Sequence, residues 1–226
     1  MAINTLARKI QQAGKLGIPG LAARIYEKIA GYKLMSRLHS LVIERLNLGE
    51  GVNYVLDAGC GPGHLLSKLL DLKKKSLYAI GLDVSPEMVV LARKRLLNSE
   101  GPGVSDVVAG DAMRLPFRDD VFHHVVSTGV LHHIPSPRDF FLEILRVLRR
   151  GASGRVYEFS PDTPWREIKE FSRKAGVSPL LIKIVSSLHG ISRREYVEGY
   201  VKKALEGINY KVNFIWVATE VELRKT

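Results

Sequence analysis

Cysteine is almost missing from this sequence: Cys60 is the one thiol in 226 residues. No intramolecular disulfide can form, so the fold rests on packing, and the chain suits a reducing compartment. Nor does any apolar run approach the ~20 residues that cross a bilayer. Met1 to Gln12 lacks the uninterrupted apolar stretch of a secretory leader, which points to a cytoplasmic protein. Internal repeats and low-complexity tracts are also absent. Cys/His metal-ligand spacings are missing too. His123 and His124 would point to opposite faces of a strand, so no metal is expected.

What is present is ordinary for a globular protein. At 46% hydrophobic and 25% charged, the chain can bury a real core. Its length suits one α/β domain with a cap. The net charge of +11 lies mostly in the flanks. Residues 1–50 contribute +5 (eight Lys/Arg, three Asp/Glu), residues 51–161 only +2 (fourteen, twelve), and residues 162–226 +4 (twelve, eight). Such flanks fit either attraction to a polyanion such as RNA or solvated helix faces. No basic run is interleaved with aromatics, which favours the solvated faces.

Periodicity divides the chain. Residues 3–13, 21–29 and 33–47 read as helices; in the last, Leu34, Leu38, Leu41, Val42 and Leu46 share a face. Short apolar runs then alternate with helical stretches: strands at 54–57, 77–82, 106–109, 121–128 and 155–159, helices at 64–72, 86–98 and 140–148. Alternation of this kind implies right-handed βαβ crossovers and a mostly parallel sheet covered on both faces. Residues 163–175 and 179–188 read as inserted helices. Ser192 and Glu195 form a capping-box pattern for one further helix, ending near Gly207. Val212, Phe214 and Trp216, then Val221 and Leu223, alternate as a closing hairpin.

Four segments carry chemistry. Val55-Leu56-Asp57-Ala58-Gly59-Cys60-Gly61-Pro62-Gly63 joins a strand to a helix, and glycines there let backbone approach a ligand. The spacing is Gly-x-Gly-x-Gly, unlike the Gly-x-Gly-x-x-Gly of dinucleotide turns. Asp83 ends the next strand, where a carboxylate can accept ribose hydroxyls or begin a helix. Asp111-Ala112-Met113, after the third strand, suits either an adenine contact or an Asp-led turn. Thr128 and the run Leu131-His132-His133 leave the fourth strand at the topological switch point. His132 and His133 are candidate general bases or pocket walls. Cys60 reads as a small packed residue and Lys73-Lys74-Lys75 as a solvated turn.

In this order and spacing, residues 50–160 resemble class I S-adenosylmethionine-dependent methyltransferases, above all the branch containing ubiquinone/menaquinone C-methyltransferases. The resemblance implies a Rossmann-like seven-stranded sheet, mostly parallel with an antiparallel last strand and helices on both faces. It implies S-adenosyl-L-methionine as cofactor, with Asp57, Gly59, Gly61 and Gly63 at its methionyl end and Asp83 at the ribose. Asp111, Ala112 and Met113 would lie at the adenine and Thr128 near the sulfonium. Two departures, Phe122-His123-His124 and Arg149-Arg150-Gly151-Ala152, fall at connections. The expected organisation is an N-terminal helical lid (1–48) and a methyltransferase domain (49–226) with a helical insertion at about 162–190. Apolar residues Leu180, Leu181 and Ile184 would close the pocket over a small-molecule acceptor. Transfer-RNA methyltransferases share a similar histidine-containing segment, so RNA is the alternative acceptor. A cofactor-binding protein without transferase activity is the other alternative.

Overall fold

The structure, a computed structural model, describes residues 32–99 and 101–226. The helices expected at 3–13 and 21–29 lie outside the described residues. A helix, α1 (Tyr32–Leu46), leads into the first strand, β1 (Asn53–Ala58). Then follow α2 (His64–Leu70), β2 (Leu77–Asp83), α3 (Pro86–Leu96), β3 (Val104–Ala109) and β4 (Phe122–Thr128). A 3-10 turn at Leu131–His133 precedes α4 (Pro137–Val147) and β5 (Leu148–Phe159). The inserted helices are α5 (Trp165–Ala175) and α6 (Pro179–Leu188), followed by α7 (Arg193–Val197) and α8 (Tyr200–Ala204). A hairpin of β6 (Tyr210–Ile215) and β7 (Ala218–Arg224) closes the sheet.

The strand order is β3-β2-β1-β4-β5-β7-β6. Strands β1 to β5 pair in parallel, and β7 runs antiparallel to both neighbours. This is the Rossmann-like sheet with an antiparallel closing strand. Its continuous apolar strands follow from burial on both faces. Val55, Val126 and Tyr157 pack into the core layer shared with α1, α2, α5 and α6. Their chain neighbours Leu56, Val125 and Val156 enter the opposite layer, with Phe140, Phe141 and Ile144 of α4. Each fully buried aromatic or aliphatic side chain contributes about 1.5–3 kcal/mol.

The apolar stripe of α1 behaves as its spacing requires. Leu34, Leu38, Val42 and Leu46 are buried, with Leu41 partly buried beside them. Arg45, on the same helix, forks onto Glu220 of β7 at 2.8 and 2.6 Å. Glu220 is fully buried and also accepts from Tyr157 and Asn213. Burial pushes the Glu220 carboxyl up, but these hydrogen bonds outweigh it and hold the group below its ordinary value.

Four expectations need correcting. The helix expected from Ser192 to about Gly207 is two short helices, broken at Glu198–Gly199. Ser192 caps the first, but Glu195 reaches forward to the Tyr200 N–H, closing a turn instead of extending a helix. Strand β5 begins at Leu148 rather than Arg155, because the Gly151 N–H and the Ala152 carbonyl pair with Lys225 beyond β7. Trp216 occupies the hairpin turn, at φ +49°, instead of continuing β6, since a two-residue turn demands positive φ. Lys74 is drawn in from the solvated Lys73–Lys75 turn, donating to the Leu48 and Gly49 carbonyls behind α1.

Candidate functional site

The C-terminal ends of β1, β2 and β3 are hooked together by backbone. Gly59 and Cys60 both donate to the Leu82 carbonyl, at 2.7 and 2.9 Å, which lays the glycine loop over the end of β2. Gly110 donates to the Asp83 carbonyl at 3.0 Å, tying the loop after β3 to the same point. The segments picked from sequence therefore converge at one edge of the sheet.

Asp83 stands at the centre of this edge. Its Oδ2 accepts the Gly61 N–H at 2.8 Å and its Oδ1 accepts the Ser85 N–H at 2.9 Å. Each carboxylate oxygen keeps further lone-pair capacity for a ligand. Burial raises the Asp83 pKa, partly offset by those backbone donors. Asp57, at the end of β1, is fully buried, and its Oδ1 has no hydrogen-bond partner. Burial and then the nearby Asp83 charge push Asp57 up to about 8.

The glycines serve different ends. A Cβ on Gly59 would stand 2.3 Å from Val130, so β4's connection packs directly on this backbone. At Gly61 a Cβ would meet nothing within 4 Å, although φ is +50°. Open space over a left-handed backbone amide leaves room for a ligand. Cys60 is buried and its thiol is raised well above the ordinary value, first by burial and then by Asp57 and Asp83. It packs against Gly81, as a small residue should, rather than acting as a nucleophile.

After β3, Asp111 Oδ1 accepts the Met113 N–H at 2.8 Å, so the Asp-led turn does form. Asp111 is exposed, Ala112 buried and Met113 half-buried. Arg146 of α4 braces this loop through the Leu115 and Phe117 carbonyls, while Glu143 accepts the Leu115 N–H.

Beyond β4, Thr128 is buried and its Oγ1 lies 3.3 Å from His39 Nε2 on α1. Sequence reasoning missed His39; its place on the apolar stripe of α1, one residue after Leu38, was the available signal. Burial, then His64 and Lys68, push His39 down to about 3, so it is neutral at pH 7. His132 Nδ1 lies 3.0 Å from Glu158 Oε2, a fully buried carboxylate on β5 that was also missed. The same oxygen accepts the His132 N–H at 3.1 Å. His133 is accessible to solvent yet walled by protein, and desolvation, with His132 and His189 beside it, pushes it down to about 3.

His123 and His124 diverge as expected for neighbours in a strand. His123 accepts the Tyr54 N–H and stacks on its ring, while half-buried His124 is pushed down to about 4 by burial and Arg155. The insertion departs from expectation. Helix α6 buries Ile182 and Ser186, but Leu180, Leu181 and Ile184 face solvent at 64%, 39% and 47% exposure. Its packing against α5 takes one face only, which leaves the other without cover among the described residues.

Known proteins resemble this chain in sequence and in fold. A family profile described as a methyltransferase domain matches residues 56–155. The ubiquinone/menaquinone biosynthesis C-methyltransferase of Pseudomonas savastanoi pv. phaseolicola is 30% identical over 176 residues, covering 73% of this chain and 68% of that protein. The chain belongs to the class I S-adenosylmethionine-dependent methyltransferases. This methyltransferase is also 37% identical over 123 residues to an uncharacterized 37.1 kDa protein in transposon TN4556 of Streptomyces fradiae. It spans only 34% of that relative's length. A crystal structure from Methanococcus maripaludis, described as a candidate S-adenosyl-L-methionine-dependent methyltransferase, matches the fold with a TM-score of 0.71 at 21% identity. That match covers 94% of this chain and 95% of the other. No helix among the described residues is long and apolar enough to cross a membrane.

Proposed function

We propose that this methyltransferase transfers the methyl group of S-adenosyl-L-methionine to a small-molecule acceptor held beside the turn Leu131–His133. The observation that carries the cofactor site is the carboxylate pair Asp57 and Asp83 under the glycine loop. A buried carboxylate beside a half-buried one favours a cationic ligand, which offsets both the desolvation and the Asp83 charge that raise Asp57 to about 8. S-adenosylmethionine presents an ammonium and a sulfonium. NAD would bring a pyrophosphate to the same place, and like charges there are costly.

On this reading Asp57 and the loop Gly59, Gly61 and Gly63 hold the methionyl end, and Asp83 takes the ribose. Ala112 and Met113 pack on the adenine, with Asp111 at its rim. Thr128, oriented by His39, borders the sulfonium. The bound cofactor supplies an electrophilic methyl group open to in-line attack. The chain's own part is alignment, which can supply much of the acceleration. His132 and His133 line the acceptor side, with the His132 ring held by its contact to Glu158.

The charge distribution supports a small acceptor over RNA. Five of the twelve C-terminal cations, Lys174, Arg193, Arg194, Arg224 and Lys225, are engaged in ion pairs with neighbouring carboxylates, although the segment keeps its net excess. Those cations are poor candidates for phosphate contacts. A further part of the reading is a cytoplasmic enzyme in which residues 1–48 form the lid, since α1 already brings His39 to Thr128. The test is incorporation of labelled methyl groups from the cofactor into fractionated cell extract, with and without ribonuclease. Label in a small-molecule fraction, insensitive to ribonuclease, is expected. Label lost on ribonuclease treatment would overturn the choice of acceptor.

A further inference from the structure

The turn after β4 and the end of α6 meet at a group of three histidines. His132 and His133 lie on the turn, with ring centroids 3.9 Å apart, and His189 ends α6 with its ring 5.5 Å from His132. One nitrogen from each can be chosen so that all three lie within 4.8 Å of one another. The fold holds His189 there through backbone: Gly190 bridges to Phe159 of β5, and the Ile191 N–H donates to the Phe159 carbonyl at 2.8 Å. That register sets His189 beside Glu158, the residue before Phe159.

We propose that His132, His133 and His189 form a binding site for a divalent transition metal of the zinc class, with Glu158 as the carboxylate behind it. The side chain of His132 is 5% exposed and that of Glu158 is wholly buried. Because Glu158 also accepts the His132 backbone N–H, its carboxylate orients the ring and puts the ring proton on Nδ1. This leaves Nε2 as a bare lone pair, and that atom is buried without a hydrogen-bond partner. A ring nitrogen with its lone pair free, backed by a carboxylate on the other nitrogen, is the arrangement of metal-bound histidines.

Charge points the same way. Among the described residues, the ionisable side chain hydrogen-bonded to Glu158 is that of His132, which carries no charge in this tautomer. A buried carboxylate needs a compensating positive charge, which a metal ion shared through His132 provides. Ligation at about 2.0–2.1 Å would bring the three nitrogens closer than in the metal-free arrangement, and His133, on the solvent side, has the freedom to move. Three histidines leave a fourth position open, as in catalytic rather than purely structural zinc sites. Val130, packed on Gly59, leads directly into this turn, so the open position adjoins the proposed cofactor crevice. An acceptor bearing a metal-binding oxygen or sulfur is the class that it would take. That last step rests on the methyl-transfer reading; metal binding itself does not.

The experiment is a Co²⁺ titration of untagged, chelator-stripped protein, followed by visible absorption and calorimetry. One equivalent should bind and produce the d–d bands of a low-coordinate, nitrogen-rich site. His133→Ala, an exposed position, should weaken binding at least tenfold without changing the thermal midpoint of the metal-free protein. His189→Ala should do likewise, and Glu158→Gln should weaken it about 10–100-fold. No stoichiometric binding by the wild type, or equal binding by His133→Ala and His189→Ala, would overturn the proposal. S-adenosylhomocysteine titrated into the same stripped protein reads the cofactor site separately. Normal product binding without Co²⁺ binding would sink the metal site alone.

Discussion

The Gly61 N–H donates to Asp83 Oδ2 at 2.8 Å, so the residue expected to hold the ribose also holds the glycine loop in shape. One carboxylate thus links two segments that the sequence keeps 22 residues apart. Its removal has two consequences that the sequence alone kept separate.

Asp83→Ala is accordingly expected to weaken cofactor binding by more than one lost ribose contact. A hydrogen bond to a charged group is worth about 1.5–3 kcal/mol, and the loop amide loses its partner as well. Asp83→Asn keeps one oxygen acceptor and should recover part of the loss. Calorimetry with S-adenosylhomocysteine on folded variants reads both. An unchanged dissociation constant in Asp83→Ala would make the residue purely structural.

Asp57 should give the protein an inverted carboxylate pH profile. Its folded value of about 8 lies above the ordinary 3.8, so the folded state binds the extra proton. Stability of the cofactor-free protein should therefore fall as pH rises from about 4 to about 8, by at most about 1.4 kcal/mol per pH unit from this group. His39 and His133 act oppositely but below neutral pH, since their depressed values add stability as pH rises from about 3 toward 6.5. Denaturant melts between pH 7 and 8.5 isolate Asp57, and Asp57→Asn should flatten the slope. Cofactor affinity should rise with pH over the same window, as the cation displaces the proton.

Gly59→Ala should abolish cofactor binding while destabilising the fold. The added methyl would stand 2.3 Å from Val130 on a backbone at φ +83°. Gly61→Ala meets no protein atom and carries only the strain of a backbone at φ +50°, so it should cost less stability than Gly59→Ala and fall mainly on binding. Thermal melting with and without S-adenosylhomocysteine separates the two. Equal loss of stability in both variants would remove the argument that Gly61 faces a ligand.

Arg45→Ala tests what fixes α1 to the sheet. Glu220 would stay buried with Tyr157, Asn213 and the more distant Arg155 as partners. A cost of about 2 kcal/mol is expected, below that of a fully buried pair because the Arg45 side chain is 37% exposed. Chemical denaturation measures it. Since α1 carries His39 to Thr128, cofactor affinity should drop as well.

Bulk transfer RNA offers a check on the acceptor. Binding in a filter assay should be weak at physiological salt and should fall steeply as salt rises, as non-specific phosphate contacts do. Submicromolar, catalytically productive binding at physiological salt would reverse the choice of a small molecule.

The sequence by itself determined the sheet and the cofactor edge. Short continuous apolar runs alternating with helices and glycine turns left one economical topology, and Gly59, Gly61, Asp83 and Asp111 sit at strand ends because local spacing put them there. Those signals are short-range, so a linear reading captures them. Long-range pairing escaped it. The forward reach of Glu195 to Tyr200 breaks a helix that the capping pattern promised. Leu180, Leu181 and Ile184 read as a lid, but α6 turned Ile182 inward instead, because α5 and the sheet needed that face. Only the tertiary structure could bring His39 to Thr128, Arg45 to Glu220, or His189 to the His132–Glu158 pair. Each contact joins residues far apart in the chain, and nothing in local propensity records which buried charge or imidazole will meet which partner.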